Sequence, residues 1–456
     1  MTRLRRSSSP RRTIFILFLL LLAGSAVAAY LLFFESTKPD VEFTGPTIYL
    51  GKQGAVSFHA RDGESGLRQI IVTLSQGDLE KEIYRLEVAR NGFIGTVGLP
   101  DKHHTVEISP PDLGFDDGDA RLRIITRDFS LGNFLRGNET NLDKEITIDT
   151  KPPRITMLHS ERYINPGGSG IVMYRVDEEV EGGAVINDHF NPGFLVDETL
   201  DDVYIAYFAL PFDASEISSA VVEVSDKAGN IASHSFQPIY RAQKYKEDRI
   251  NVGDGFLSAK MPEFTQYYPD MQGSAVDKYL FANNEIRRLN NERISELCAD
   301  PHHHRLWEGR FTRMAGSTKA GFADQRTYYY QGAAIDNQVH LGIDIASTRH
   351  AEVKAAATGI AIFADYLGIY GNSVILDHGQ GVFSLYSHLS RLNAEVGATF
   401  NQGDVLGLTG TSGMAGGDHL HFSMLVNGIF VTPVEWWDQH WIDVTIEEPL
   451  TEIRFQ

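Results

Sequence analysis

The 456-residue chain contains a single cysteine, Cys298. That excludes an intramolecular disulfide and makes a cysteine-based zinc site implausible. Positive charge is also scarce: 41 Lys and Arg stand against 60 Asp and Glu, a formal net charge of −19. Phosphate backbones need a basic surface, so nucleic acid is not an expected partner. No H-E-x-x-H occurs, which excludes the helical metalloprotease design. The chain is instead rich in turn and strand formers, with 42 Gly, 18 Tyr and 26 Phe. This composition fits short strands and turns better than a helix bundle. The length allows about three domains.

The amino terminus, "MTRLRRSSSPRR", carries arginine and no acid. It is followed by an uncharged run, Ile14 to Phe34. As a helix these residues span about 32 Å, close to the ~30 Å hydrocarbon core of a bilayer. The basic flank should stay in the cytoplasm and direct the rest outward. Ala26-Val27-Ala28 resembles a signal-peptidase site, but the apolar run continues past it through "YLLFF", which favours an uncleaved anchor. The expectation is a cytoplasmic tail (1–13), a single-pass anchor of the inner membrane (14–34), and the bulk of the chain outside the cytoplasm.

Two stretches then repeat a pattern. "TKPDVEF" (37–43) and "TKPPRIT" (150–156) each place proline before a strand-like run, and "RIITRDFSLGN" (123–133) and "VVEVSDKAGN" (221–230) each place a loop after one. Short strands with regular turn signals predict β-sandwiches. The motifs resemble bacterial immunoglobulin-like modules, and two are expected, at 38–150 and 151–240. Neither shows a catalytic cluster, so both read as spacers or as binding surfaces for an unknown partner. "DKHHTV" and "HFNPGF" read as loops. Residues 241–310 form a connector, with a helix over 274–297 from the spacing of Val276, Leu280, Ile286, Leu289, Ile294 and Leu297. The three adjacent histidines of "PHHHRLW" (301–307) diverge on any regular element and do not make a three-ligand site.

Chemistry-bearing residues gather after 311. In "GGDHLHFSMLV" (416–426), Leu420, Phe422, Met424 and Val426 alternate with His419, His421 and Ser423. This is strand periodicity, and it puts both histidines on one face about 7 Å apart. Upstream, His340 and Asp344 form an H-x-x-x-D pair, and His388 ends a hairpin whose turn is "DHGQG". Imidazole and carboxylate are good zinc ligands, and a catalytic site keeps three of them plus a water. The spacing alone leaves open which of His419 and His421 would bind metal.

The motifs "HLGIDIAS", "YGNSVILDHGQGVFSLYSHLS", "VGATFNQGDVLGLTGTSG" and "GDHLHFSMLVNGIFVTPVEW" together resemble the lysostaphin/LytM-type zinc endopeptidases, peptidase family M23, over residues 311–438. The resemblance implies a small antiparallel β-sheet domain that cuts peptide cross-bridges of peptidoglycan. It implies Zn²⁺ held by His340, Asp344 and His421. His388 and His419 would then orient the attacking water and stabilise the developing oxyanion. Asn372, in "YGNS", is a weaker candidate substrate contact. His350 and His378 read as structural or solvated, Trp436 and Trp437 as packing residues, and 439–456 as a C-terminal extension. The expected fold is mainly β: an N-terminal transmembrane helix, two immunoglobulin-like sandwiches, a helical connector and a C-terminal peptidase sheet. The expected function is a membrane-anchored zinc metalloendopeptidase. The alternative is a non-catalytic scaffold or activator of other wall hydrolases.

Overall fold

The computed structural model describes residues 10–45, 48–197 and 199–454; most of the basic tail (1–9) lies outside the described residues. The chain is mainly β and divides into two compact units, Met1–Pro152 with Ser225–Asn230, and Pro153–Val224 with Ile231–Gln456.

The first unit begins with a helix, Pro10–Phe33. Its apolar side chains, Ile14 to Leu22 among them, are about half or more exposed. The span Arg11–Tyr30 is long and apolar enough to cross a membrane. Beyond it, two sheets share one core. Three antiparallel strands, Asp40–Phe43, Gly54–Arg61 and Asp101–Ile108, form one sheet. The other runs in the order Tyr49–Leu50, Glu139–Ile148, Gly118–Asp128, Leu67–Gln76, Leu79–Glu87. Period-2 alternation buries Val56, Phe58, Ile70, Val72, Leu122 and Ile124 completely between the two sheets. "DKHHTV" is not a loop. It is most of the strand Asp101–Ile108, where His103 stacks on His59 across the ladder. Its polar residues lie on the exposed side, which hid the alternation.

In the second unit, two four-stranded sheets form a second two-layer body. One sheet is ordered Phe194–Asp197, Leu200–Ala209, Ser169–Val176, Ile155–Ser160; the other holds His189–Pro192, Val180–Ile186, Ala220–Asp226 and Ile231–Ser235. "HFNPGF" is therefore also strand rather than loop. The runs "GIVMY" and "YIAYFAL" are apolar at every position, and the strands they form are buried on both faces. Val172, Tyr174 and Phe208 fill the interior between the sheets. On the opposite face Ile171, Met173, Ile205 and Tyr207 join Trp307, Phe311 and Trp436 in one core with the C-terminal sheet. A free-standing spacer would keep that face polar, so the spacer reading does not hold for residues 153–240.

The C-terminal sheet is antiparallel, with the order Ser317–Ala320, Ile343–Ala346, Leu420–Val426, Val382–Leu392, Asn372–Asp377, Gly359–Tyr366, Thr399–Phe400. Both its faces are covered. One packs on the second two-layer body and on C-terminal helices whose Ile442, Ile446, Leu450 and Ile453 recur at helical spacing. The other packs on helix Asp254–Tyr267 and on the helical run from Ala275 to Leu297, through Leu257, Met261, Phe264, Tyr279, Ile286 and Ile294. Ser274 starts the second run in a capping box with Asp277. Pro262 inside Asp254–Tyr267, and the absence of a clean apolar stripe, hid the first.

Candidate metal centre

Three neighbouring strands carry the site. Asp344 on Ile343–Ala346 sits opposite His421 on Leu420–Val426, and His421 sits opposite Ser387, the residue before His388. His340 lies in the turn entering Ile343–Ala346, and His419 just precedes Leu420–Val426. The strand Leu420–Val426 is buried on both faces rather than half-exposed. All of the alternating residues are therefore inside the protein, and the histidine face is the one roofed by the helical segment.

His340 Nε2, Asp344 Oδ1 and His421 Nδ1 form a near-equilateral triangle with sides of 2.9, 3.0 and 3.0 Å. The other nitrogen of each imidazole is committed. His340 Nδ1 lies 2.8 Å from the Gly321 carbonyl, which can only accept, so Nδ1 carries the proton. Ser423 donates its hydroxyl to the Leu341 carbonyl at 2.7 Å and therefore accepts from His421 Nε2 at 3.1 Å. Both imidazoles thus turn a lone pair toward Asp344, the arrangement that outer partners impose on metal-binding histidines. Tetrahedral zinc with bonds of about 2.05 Å separates its ligand atoms by about 3.3 Å. The donor set and its spacing fit such an ion.

Asp344 is 8% exposed, and its second oxygen accepts from Arg326 Nη2 at 3.1 Å. Burial would raise its pKa, but the surrounding polar groups, His340 first among them and then His419 and His421, outweigh that and hold it well below the carboxylate range. Burial pushes His421 down to about 4.

Two more histidines flank the triangle. His388 donates Nδ1–H to the Ser412 carbonyl at 2.9 Å, and His419 donates its own to the Gly417 carbonyl at 2.7 Å. Each presents Nε2 to the site, with ring centroids 4.9 Å apart. His388 has φ +63°, a left-handed backbone uncommon for a non-glycine residue and worth about 1–3 kcal/mol of strain. Burial holds His388 well below the usual imidazole range, and the charges of His419 and His421 add to this. His419 goes the other way: burial lowers it, but the hydrogen bond and charge of Asp344 raise it above the usual value.

Gly342 explains the glycine in "HLGID". A Cβ there would lie 2.6 Å from His421 Cε1 and Nε2 and 2.6 Å from Ser423 Oγ. A cavity of about 420 Å³ opens over the triangle, walled by Phe256, Tyr279, Arg287, Tyr328 and Tyr370.

Several residues that shape the site carry no local sequence signal. Arg326 comes from a different sheet. Glu263 accepts from the Gly413 amide at 2.6 Å, and Lys260 Nζ donates to the Thr411 carbonyl. These two helical residues hold the loop whose Ser412 carbonyl orients His388. Asn290 likewise accepts from the Ile369 amide at 2.9 Å, and Tyr370 donates to Asn291 at 2.9 Å.

The remaining candidates are placed elsewhere. The Asn372 side chain donates to the Leu389 carbonyl at 3.0 Å. His378 is buried between the Thr358 carbonyl and Ser384 Oγ, both at 2.7 Å. His350 sits in an exposed turn, and its amide approaches Asp418 at 3.3 Å. Trp436 is fully buried, donating to Ser169 Oγ at 3.1 Å.

Residues 338–433 match the family model described as Peptidase family M23. Over 97 residues the chain is 39% identical to the DD-carboxypeptidase/endopeptidase Mpg of Neisseria meningitidis, covering 21% of this chain and 22% of that protein. It is 37% identical over 95 residues to the murein hydrolase activator EnvC of Escherichia coli, covering 21% and 23%. The catalytic domain of lysostaphin from Staphylococcus simulans is similar at 27% identity with a TM-score of 0.23, over 26% of this chain and 90% of that one. The chain spans about a fifth of the length of the curated relatives it matches.

Proposed function

Residues 338–433 form a peptidase family M23 domain, and from that premise we propose that the chain is a membrane-anchored zinc metalloendopeptidase that hydrolyses peptide cross-bridges of peptidoglycan. The observation that carries this reading is the triangle of His340 Nε2, Asp344 Oδ1 and His421 Nδ1, with the outer nitrogens already spent as donors. Those three residues would hold the metal. When bound, zinc supplies a Lewis acid for the scissile carbonyl and lowers the pKa of a water toward 7.

The chain's own groups do the rest. Arg326 keeps the second oxygen of Asp344 occupied, so the carboxylate offers the triangle one oxygen. Neutral His388, with Nδ1–H fixed on Ser412, offers Nε2 as the acceptor of the proton lost by the attacking water. His419 holds its proton more readily and presents it from Nε2 to the developing oxyanion and then to the leaving amine. The aromatic walls of the pocket lower the local dielectric, which strengthens each of these interactions. The N-terminal helix would cross the inner membrane and leave the domain on the periplasmic side, where the cross-links are.

Similarity to a murein hydrolase activator favours a second reading, a scaffold that stimulates other wall enzymes. That reading leaves the five-residue cluster without a use. Replacing Asp344 by Ala separates them. The peptidase reading expects the variant to stay folded, to lose its zinc and to stop cleaving purified cross-linked muropeptides. Undiminished cleavage by zinc-free Asp344→Ala protein would overturn it.

A further inference from the structure

Where the chain leaves the apolar helix it meets three carboxylates of the first unit. Glu35, Asp62 and Asp128 each bring one oxygen within 4.8 Å of the others. Asp128 is fully buried and Asp62 is 8% exposed. Asp62 Oδ1 accepts from the Glu64 amide and the Gly66 amide also favours the charged carboxylate, but Oδ2 is buried and meets no hydrogen-bond donor among the described residues. The charges that act most on Glu35 are those of Asp62 and Asp128, and those that act most on Asp62 are Asp128 and Glu64. No cation is among them. Burying anions without a counter-charge is costly, so a cluster of this kind takes up either protons or a cation.

We propose that Glu35, Asp62 and Asp128 form a binding site for a calcium ion that clamps the segment after the apolar helix onto the first sandwich. The donors are all oxygen, which suits a hard divalent cation and not zinc. Calcium accepts irregular shells of six to eight oxygens at about 2.4 Å, so two oxygens on opposite sides of one ion stand about 4.8 Å apart. The 4.8 Å limit on the spacing of the three carboxylates is within the span of such a shell, and the orphaned Asp62 Oδ2 is available as one of its oxygens.

The carboxylates are held in place around it. Asp128 Oδ1 accepts from the Ser130 and Asn138 amides at 3.0 and 2.6 Å. Asn138 Nδ2 donates to Asp128 Oδ2 at 2.8 Å, to the Glu35 carbonyl at 3.2 Å and to the Thr37 carbonyl at 3.0 Å. The Ser65 amide donates to the Glu35 carboxylate at 2.9 Å. The chain builds this frame a second time: Asp226 Oδ1 accepts from the Ala228 and Asn230 amides, and Asn230 Nδ2 donates to Asp226 Oδ2 and to the Asp149 carbonyl, both at 2.8 Å. Asp149 precedes "TKPP" as Glu35 precedes "STKP". Asn138, rather than Asn133 of "SLGN", is thus the counterpart of Asn230. Burial, with the charges of Asp62 and Asp128 adding, pushes Glu35 up to about 8.

The test is calcium binding to the zinc-loaded full chain in detergent micelles, by calorimetry with CaCl2. Extracellular modules bind calcium at about 10⁻⁴–10⁻³ M, so the titration runs to about 10 mM. Glu35→Gln and Asp62→Asn should each bind one equivalent fewer than the wild type. Asp62→Asn keeps the acceptor for the Glu64 amide, and unchanged circular dichroism without calcium shows that the fold survives. Equal stoichiometry in wild type and both folded variants, or no calcium bound by the wild type, overturns the proposal and leaves protonation of Glu35 as the means of neutralisation.

Discussion

Replacing Gly342 by Ala tests how tightly the triangle depends on one missing methyl group. The new Cβ would meet His421 Cε1, His421 Nε2 and Ser423 Oγ, all at 2.6 Å. Carbon contacts are comfortable only at about 3.5–4.0 Å, so the imidazole or the backbone must retreat by about 1 Å. The ring has no slack for that. Its Nε2 is tied to Ser423 and its Nδ1 faces two partners at 2.9 and 3.0 Å. Metal bonds tolerate about 0.2 Å, and loss of an outer partner alone costs about 10–100-fold in affinity. The substitution removes the outer partner and misplaces the ligand, so we expect at least about 100-fold weaker zinc binding, equivalent to about 2.8 kcal/mol. The assay is zinc content by mass spectrometry across a series of chelator-buffered free-zinc concentrations, with urea unfolding as the control for fold. Zinc affinity within about threefold of the wild type, in a folded variant, would refute the reasoning.

Other perturbations have separable outcomes. Ser423→Ala should weaken zinc by about 10–100-fold, with full occupancy restored at high free zinc; unchanged affinity would mean that the hydroxyl does not fix the ring. His388→Ala and His419→Ala should keep zinc and lose turnover by about 10²–10⁴-fold; loss of zinc from His419→Ala, with zinc retained in His421→Ala, would show the two roles reversed. Burial lowers His378 from 6.5 to about 4. The folded state therefore favours its neutral form, and the associated stability, about 3 kcal/mol, is present above pH 6.5 and lost as the pH falls toward 4. Urea unfolding at pH 7 and pH 4.5 should show a smaller acid loss in His378→Gln than in the wild type, and an equal loss would count against a buried neutral His378. Glu263→Gln should reduce turnover without changing zinc content, because it loosens the loop whose Ser412 carbonyl orients His388; a fall in zinc would point to a wider collapse.

The residues of the site were legible because strand geometry has period 2. His419 and His421 share a face whatever surrounds them, and Asp344 and His388 lie on the strands either side of Leu420–Val426, with His340 in the turn just before Ile343–Ala346. What spacing could not supply is the support from distant parts of the chain. Arg326, Glu263 and Asn290 reach the site from another sheet and from helices, and nothing beside them in sequence marks that destination. The apolar runs "GIVMY" and "YIAYFAL" did carry a signal of burial on both faces, which contradicts the reading of residues 151–240 as a spacer. The helical spacing of Ile442, Ile446, Leu450 and Ile453 is equally visible within 439–456, beyond a bare C-terminal extension. "DKHHTV" and "HFNPGF" lack a loop's structure because their polar residues sit on edge strands: His103 and His189 face outward, and the buried Asn191 donates to the Ala184 and His189 carbonyls.

The central claim is that this domain itself breaks peptide bonds of the wall. Purified peptidoglycan incubated with the zinc-loaded full chain in detergent, then analysed by mass spectrometry, tests it directly. The account predicts that cross-linked muropeptides are converted to uncross-linked peptides heavier by one water in total. It also predicts that the conversion stops with a zinc chelator and with Asp344→Ala. An unchanged muropeptide profile from zinc-loaded protein, together with faster release of peptides when a separate wall amidase is added, would contradict it and support the activator reading instead.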